Sequence, residues 1–472
     1  MPEVALASPD AGGPGTRRSR PTATRTRLSA RRIAWDVLAR IEATDAYANV
    51  LLDTRLQNSA LSRPDRALAT ELVYGVLRWR GMLDWLLEPL LDRPLTTLDA
   101  VVRHLVRLGA YQLVCLARVP DFAAVDETVS LAREVGAARA AGYVNAVLRR
   151  VAAEPRRPGP DPAADPLAYW TGPGSHPTWL AERWLRRLGS GEAGALMTAN
   201  NRVPPLTVMA NRVKADIGET ERILRKAAPD IVPGRFVAGS FVCRGAGSPR
   251  DFPGFAEGCF LPMDEASALP VLALDLARGH HVLDACAGGG GKSALIAAAV
   301  GESGEVVALD RSARAIRRLA TAIERLGLAS VHSRIYDARG AADAWPGRFP
   351  RVLLDAPCTG LGTLRRRPEI KWRRRPDDLR RVAALQAELL AGVAGAVAPD
   401  GLLVYSTCSL EPEETDEVIE AFLQRHSAFA LEAPGPDLQT FADPATDGLL
   451  RAWPHRHDTD GFFVARLRRG RR

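Results

Sequence analysis

Residues 282–293 read Val282-Leu283-Asp284-Ala285-Cys286-Ala287-Gly288-Gly289-Gly290-Gly291-Lys292-Ser293, an apolar run followed by glycines and the start of a helical pattern. A strand that turns through glycines into a helix is typical of an open α/β sheet. Helical patterns such as residues 313–326 then alternate with further strand-like runs, at 305–309, 351–354 and 402–405. This order predicts a doubly wound parallel sheet in residues 263–472, and the run at 461–467 predicts an antiparallel last strand.

The glycine loop favours an adenosyl ligand over a triphosphate. Gly291-Lys292-Ser293 matches the end of a phosphate-binding P-loop, but the first glycine of that motif would fall at Cys286. The dinucleotide pattern G-x-G-x-x-G is also incomplete, because Ser293 stands at its last position. The backbone N–H groups of such a loop can still approach a ligand closely.

Carboxylates stand at the ends of successive strand-like runs. Asp310 comes 26 residues after Asp284, about where an acid that binds ribose hydroxyls belongs, and Asp337 and Asp355 follow the next two runs. A single aspartate at a strand end is commonly a surface residue. Four of them in register favour a nucleoside ligand, with Asp337 placed to meet an adenine amino group.

Two cysteines follow apolar runs in a turn-forming context: Cys358, in Asp355-Ala356-Pro357-Cys358, and Cys408, in Ser406-Thr407-Cys408. In an open α/β sheet, such strand ends are where ligands bind. A thiolate adds readily to an electron-poor ring when its surroundings lower the thiol pKa. The alternative interpretation is that each is a small buried hydrophobe, the usual fate of a free cysteine.

The chain before residue 263 divides into three segments. Residues 1–28 are rich in Arg and Pro and predict a disordered basic tail, either solvated or in contact with RNA. Residues 29–155 carry apolar side chains at helical spacing and predict a bundle of six or seven helices. Residues 156–262 begin with a proline-rich linker and continue with mixed patterns, which predict a small α+β module.

Composition excludes several classes of protein. The net charge is +8, but residues 1–32 and 461–472 carry +5 each, so the middle of the chain is close to neutral apart from one basic cluster at 365–375. No apolar run reaches the roughly 20 residues of a membrane span. No secretory signal is evident either, so we expect a cytoplasmic protein without membrane contact. The scattered Cys and His residues argue against a metal site.

Several stretches resemble known RNA methyltransferases. Asp355 to Cys358, Thr407-Cys408-Ser409 and the loop at 286–292 are similar to the motifs of RNA 5-methylcytosine methyltransferases that use S-adenosyl-L-methionine. Residues 366–372 (RRPEIKW) resemble more narrowly the RsmB family, which acts on 16S rRNA. The NusB-like RNA-binding domain of that family is similar to the stretches 107–113, 124–129 and 144–150.

The resemblance implies a multidomain fold: an all-α NusB-like bundle over 29–155, a linker and small α+β module over 156–262, and an α/β Rossmann-like methyltransferase domain over 263–472. It implies that Cys408 is the covalent nucleophile, that Asp355 holds the base near N3, and that Cys358 assists release of the product. S-adenosyl-L-methionine would be the cofactor and 16S rRNA the partner. We expect a monomer that needs neither membrane nor metal.

The resemblance also implies two sets of binding residues. The cofactor-binding residues would be Cys286, Ala287, Gly288, Gly289, Gly290, Gly291, Lys292, Asp310, Asp337 and Asp355. The RNA-binding residues, from the basic cluster, would be Arg365, Arg366, Arg367, Lys371 and Trp372, although such a cluster can also be a solvated charged helix.

Two other functions stay open at this point. A methyltransferase that acts on tRNA would share the chemistry, but the NusB-like front makes it the weaker reading. A non-catalytic RNA-binding factor for ribosome assembly would share the fold. Against it stands the presence of both cysteines and all the cofactor carboxylates.

Overall fold

The computed structural model describes residues 29–44, 46–244 and 247–471. The predicted basic tail, residues 1–28, lies outside the described residues. The first domain is helical, as the spacing of its apolar residues predicts, and the hydroxyl of Ser29 accepts a hydrogen bond from the Arg32 backbone N–H to cap its first helix. Its helices are α1 (Ala30–Ala43), α2 (Ala48–Gln57), α3 (Arg63–Arg78), α4 (Arg80–Leu87), α5 (Ala100–Cys115), α6 (Asp121–Glu134) and α7 (Ala141–Ala153).

A small α+β module follows, as predicted. Its elements are α8 (Pro166–Thr171), α9 (Thr178–Asn200), β1 (Leu206–Ala210), α10 (Ile217–Arg225), β2 (Val232–Pro233), β3 (Ser240–Cys243) and β4 (Phe260–Pro262). The strands pair antiparallel in the order β2-β3-β1-β4. Gly189, with φ 75°, interrupts α9 because its backbone is in a conformation that a helix cannot contain.

The third domain alternates strands and helices. Its strands are β5 (His281–Asp284), β6 (Glu305–Asp310), β7 (Val331–Ile335), β8 (Phe349–Asp355), β9 (Val397–Thr407), β10 (Phe429–Leu431), β11 (Leu449–Ala452) and β12 (Phe462–Arg469). Its helices are α11 (Glu265–Leu272), α12 (Gly291–Val300), α13 (Ala313–Leu326), α14 (Ala341–Ala344), α15 (Glu369–Arg373), α16 (Pro376–Ala394), α17 (Asp416–Arg425) and α18 (Pro454–His457).

The strand order in this sheet is β10-β12-β9-β8-β5-β6-β7, with β11 paired to β12. The strands from β5 to β9 run parallel, and β12 pairs antiparallel with β9, which confirms the predicted last strand. The winding direction reverses between β5 and β8. In open α/β sheets a crevice for ligands opens at this switch point, beyond the carboxyl ends of the strands.

Apolar side chains cover both faces of the sheet, which therefore lies between two hydrophobic cores. Val282, Leu353 and Val404 belong to a core on one face, and Leu283, Leu354 and Tyr405 to a core on the other. Strands buried on both faces are apolar throughout, which is why their ends stand out in the sequence as abrupt changes to polar residues. None of the described helices is both long and apolar enough to cross a membrane.

Candidate active site

One cavity of about 360 Å³ lies at the carboxyl ends of β5, β6, β8 and β9. It brings together residues that are far apart in the sequence, because the ends of neighbouring parallel strands share one edge of the sheet. The predicted site residues that line it are Cys286, Gly288, Asp310, Asp337, Asp355, Cys358, Arg367 and Cys408.

The two cysteines form a contact pair. The Sγ atoms of Cys358 and Cys408 lie 3.0 Å apart. The hydrogen bond from Cys358, aided by the charges of Arg367 and Lys292, lowers the pKa of Cys408 although its burial opposes this. The same hydrogen bond, together with burial and the charges of Cys408, Glu414 and Asp355, raises the pKa of Cys358. Of the two thiols, Cys408 is therefore the one that loses its proton more readily, and Cys358 is placed to donate a hydrogen bond to it.

Asp355 is held beside the thiols by two partners. The Lys292 ammonium donates to its Oδ2 at 2.6 Å, and the Ser406 hydroxyl donates to its Oδ1 at 2.8 Å. Burial is the largest single influence on the pKa of Lys292 and lowers it, but the charge of Asp355 and the hydrogen bond to it, with the charges of Cys408 and Asp284, together raise that pKa. Lys292 also lies over the Phe462 ring, 5.1 Å from its centroid. The Lys292 ammonium is therefore paired with the carboxylate at the end of β8.

The glycine loop takes a shape that needs glycine. Gly288 and Gly290 have φ values of 56° and 84°, in the left-handed region, and a Cβ on Gly290 would lie 2.4 Å from Leu319. The backbone N–H of Gly288 donates to Oδ2 of Asp310 at 3.1 Å, which ties the loop to the end of β6.

The wall formed by this loop suits a nucleoside. A Cβ on Gly288 or Gly289 would meet no atom within 4 Å, so the backbone there is open to a ligand. Asp310 and Asp337 present carboxylates that can accept hydrogen bonds from hydroxyl and amino groups. Hydrogen bonds from Arg339 lower the pKa of Asp337 and keep it ionised. Over the described residues, no group of three or more His, Cys, Asp or Glu could hold a metal ion.

Comparison with known proteins identifies the family. The family model described as 16S rRNA methyltransferase RsmB/F matches residues 271–468, that of the NusB family matches 28–153, and a ferredoxin-like domain of RsmF/B-like methyltransferases matches 176–244. A Bacillus subtilis protein is 36% identical over 94% of this chain and 99% of its own length. The chain belongs to the RsmB/F methyltransferase family.

Further relatives of this RsmB/F family member agree. The ribosomal RNA small subunit methyltransferase B of Pseudomonas putida is 35% identical over 91% of this chain and 98% of its own. The crystal structure of PH0851 is similar with a TM-score of 0.80 at 27% identity, covering 93% of this chain and 98% of that one. These matches confirm the predicted fold class: a NusB domain, a ferredoxin-like module and a methyltransferase domain.

In this RsmB/F family member a buried glutamate, which the sequence did not reveal, joins the loops of the two cysteines. The Glu414 carboxylate accepts hydrogen bonds from the Thr359 backbone N–H at 2.8 Å, the Ser409 hydroxyl at 2.6 Å and the Gln386 amide at 3.1 Å. Thr359 follows Cys358 and Ser409 follows Cys408, so this network fixes the distance between the thiols. Burial raises the pKa of Glu414.

The structure corrects the prediction for the basic cluster. Arg365 and Lys371 are only 1% and 0% exposed, so neither can reach a phosphate on an RNA. Arg366 is ion-paired with Asp264 and Asp460, and Trp372 donates its indole N–H to the Leu77 carbonyl at 2.7 Å. All five predicted RNA-binding residues lie in the part of the chain that the structure describes. Of these five, only Arg367 is exposed. The other four contact neighbouring domains: Lys371 and Trp372 donate to carbonyls of the NusB domain, the Arg365 carbonyl accepts from Arg78 of that domain, and Arg366 also donates to the Pro205 carbonyl of the α+β module.

Lys371 is the centre of this junction. Its ammonium donates to the Arg78 carbonyl at 3.0 Å, the Ser175 carbonyl at 2.8 Å and the Asn201 side-chain oxygen at 2.8 Å. These acceptors belong to the NusB domain and to the segment that follows it. Burial, with Arg78 nearby, lowers the Lys371 pKa well below its usual value.

We expect Lys371→Met to lower the free energy of unfolding by about 3 kcal/mol, because buried acceptors lose their donor. Urea and thermal unfolding measure the change. Lys226→Met, at an exposed lysine of the ferredoxin-like module, is the control and should change stability by less than about 0.5 kcal/mol. The salt dependence of RNA binding should stay as in the wild type, since Lys371 contacts no phosphate. A wild-type unfolding curve for Lys371→Met would contradict the junction role.

Proposed function

We propose that this protein transfers a methyl group from S-adenosyl-L-methionine to carbon 5 of a cytosine in 16S rRNA, through a covalent bond between Cys408 and the base. The observation that carries the proposal is the thiol pair. Cys358 and Cys408 lie 3.0 Å apart at the ends of neighbouring strands, beside Asp355. Membership of the RsmB/F family supports rRNA as the substrate.

The reaction begins with Cys408. Carbon 5 of cytosine is a poor nucleophile until the ring gains electron density. The Cys408 thiolate adds to carbon 6, forming the C6–S bond and moving the electron pair of the C5–C6 double bond toward carbon 5 and the N3 side of the ring. N3 takes a proton from water as the electrons move, and Asp355, held by Lys292 and Ser406, accepts a hydrogen bond from the resulting N3–H and so stabilises the adduct.

The glycine loop and the strand-end carboxylates would hold the cofactor. Asp310 suits the ribose hydroxyls, Asp337 suits the adenine amino group, and the open backbone at Gly288 and Gly289 lets the ligand approach. When bound, S-adenosyl-L-methionine supplies the electrophilic methyl group that carbon 5 of the adduct takes.

Cys358 acts in the release of the product. Carbon 5 loses its proton to water, the C5–C6 double bond forms again, and the C6–S bond breaks so that Cys408 leaves as a thiolate. N3 returns its proton to water. The Cys358 thiol, whose sulfur lies 3.0 Å from that of Cys408, is placed to donate a hydrogen bond to the departing sulfur. A paired base cannot enter this cavity, so the target cytosine must be unpaired or flipped out.

The proposal is tested by incubating the protein with radiolabelled S-adenosyl-L-methionine and small-subunit rRNA, and by mapping the methylated base. We expect label on carbon 5 of a cytosine. A tRNA fraction, incubated in parallel, distinguishes the two substrates. Absence of incorporation by the wild type, or label on another base or position, would overturn the proposal.

The charge of Arg367 should contribute to the pH dependence of the reaction, after the larger effect of the hydrogen bond from Cys358. The Arg367 charge lowers the pKa of Cys408, so the thiolate persists to lower pH. In Arg367→Gln that charge is lost and the pKa of Cys408 rises. The rise of kcat/KM with pH should then occur at higher pH. At pH values above that rise, part of the lost rate should be recovered. An unchanged rise would show that Arg367 does not act on the thiolate.

A further inference from the structure

The NusB domain contributes a residue to the catalytic cavity. Tyr47, just before α2, lines the same cavity as Cys358 and Cys408. It is 40% exposed, so a substantial part of it is open to solvent. The contacts that hold the two thiols and the glycine loop do not involve Tyr47. Its position in the cavity therefore calls for a separate explanation.

The backbone on both sides of Tyr47 is fixed by the methyltransferase domain. The Ala48 backbone N–H donates to Oε1 of Glu369 at 3.1 Å. The Arg373 guanidinium donates to the Ile41 carbonyl at 2.9 Å and to the Thr44 carbonyl at 3.0 Å, and it also bonds the Ala46 carbonyl. The loop is therefore held against α15, and Tyr47 is presented to the cavity from an anchored backbone.

Arg367 lies next to the Tyr47 ring. Its guanidinium carbon is 5.2 Å from the ring centroid, within the range of a cation–π contact. Both side chains are exposed. Across residues 29–44, 46–244 and 247–471, no carboxylate lies within ion-pair distance of Arg367. An aromatic ring and a cation with access to solvent are the pair that single-stranded nucleic acids contact, by base stacking and by phosphate binding.

We propose that Tyr47 and Arg367 position the RNA at the mouth of the cavity, where the Tyr47 ring stacks on a base next to the target cytosine and Arg367 binds an adjacent phosphate. This inference rests on the proposed function. It makes the NusB domain a part of the substrate site, in addition to any contact that it makes elsewhere on the RNA. Tyr47 and Arg367 thus act on substrate position, in addition to the effect of the Arg367 charge on the Cys408 thiolate.

The Tyr47 contribution is tested in the full-length protein with Tyr47→Ala and Tyr47→Phe. Loss of one stacked base in Tyr47→Ala should raise KM and Kd for small-subunit rRNA about tenfold, with a smaller effect on kcat. Tyr47→Phe retains the ring and should bind rRNA within about twofold of the wild type. The affinity for S-adenosyl-L-methionine should not change. Phe122→Ala, which removes another exposed aromatic ring of the same domain, is the control.

The Arg367 contribution is tested by the salt dependence of rRNA binding. Loss of one phosphate contact in Arg367→Gln should reduce the slope of log K against log salt concentration by about 1. Arg380→Gln, at an exposed arginine of α16, is the control. In the double variant of Tyr47 and Arg367 the losses should not add fully, because the two side chains touch.

Two results would overturn the inference. One is wild-type rRNA binding by Tyr47→Ala, and the other is a loss in Tyr47→Phe as large as in Tyr47→Ala, which would mean that the hydroxyl and not the ring matters. Because binding is measured directly, these results are independent of whether the wild type methylates a cytosine. Failure of the proposed function and failure of this inference are thus told apart.

Discussion

Cys408→Ala is expected to lower methyl transfer to rRNA by about 10³-fold or more, because no other nucleophile can take the place of the thiolate at carbon 6. Among the described cysteines, Cys408 is the one whose pKa is lowered. Cys286 also lines the cavity, but burial, together with the charges of Asp284 and Asp355, raises the pKa of its thiol. The measurement is single-turnover transfer of labelled methyl to small-subunit rRNA.

The controls for this variant separate chemistry from folding. Affinity for S-adenosyl-L-methionine, measured by calorimetry, should be close to that of the wild type, since the residues assigned to the cofactor are unchanged. Cys115→Ala removes an exposed thiol of the NusB domain and should retain full activity. Methyl transfer by Cys408→Ala at more than about a tenth of the wild-type rate would contradict the assignment of the nucleophile.

The sheet and the cavity could be predicted from the sequence because both depend on local patterns. Strands buried on two faces are apolar over their whole length, so their ends are visible where Asp355 and Cys408 follow the runs. The rule that ligands lie at these ends then places the two thiols and the carboxylates together. The left-handed glycines of the loop were visible for the same reason, as a run of four glycines between a strand and a helix.

The junction between domains could not be predicted, because it depends on residues that are far apart in the chain. A stretch with Arg365, Lys371 and Trp372 has the composition of an exposed basic surface. Lys371 can be buried because three acceptors surround its ammonium. They are the Arg78 carbonyl, the Ser175 carbonyl and the side-chain oxygen of Asn201. Tyr47 was missed for a related reason: nothing near it in the sequence indicates that its loop is anchored to α15.

Glu414 shows the same limit at shorter range. It stands in an acidic stretch, Glu411 to Glu414, in which the sequence does not distinguish a buried carboxylate from a solvated one. In the folded protein it is the acceptor that joins the loops after Cys358 and Cys408. Which glutamate of this stretch becomes the buried acceptor depends on the positions of the Thr359 and Ser409 donors. Only the packed structure fixes those positions.

Cys358→Ala should accumulate a covalent complex between the protein and its RNA. The variant retains the Cys408 nucleophile and the residues assigned to the cofactor, so addition and methyl transfer can occur once. It lacks the Cys358 thiol, which lies 3.0 Å from the Cys408 sulfur and under the proposed mechanism would donate to that sulfur as it departs, so release should become slow. We expect multiple-turnover kcat to fall about 100-fold or more. Denaturing gels with labelled rRNA measure the complex, which should survive heating in detergent.

The same variant should also change the pH dependence of the rate at which the complex forms. The hydrogen bond from Cys358 is the largest cause that lowers the pKa of Cys408, so its loss raises that pKa and reduces the thiolate fraction at neutral pH. Formation of the complex by Cys358→Ala should therefore become faster as pH rises. Cys358→Ser, which keeps a donor, should shift less. Cys408→Ala should form no complex, and neither should the variant with both cysteines replaced by alanine. A complex with either variant would mean that the roles of the two thiols are reversed or that a third residue attacks the base.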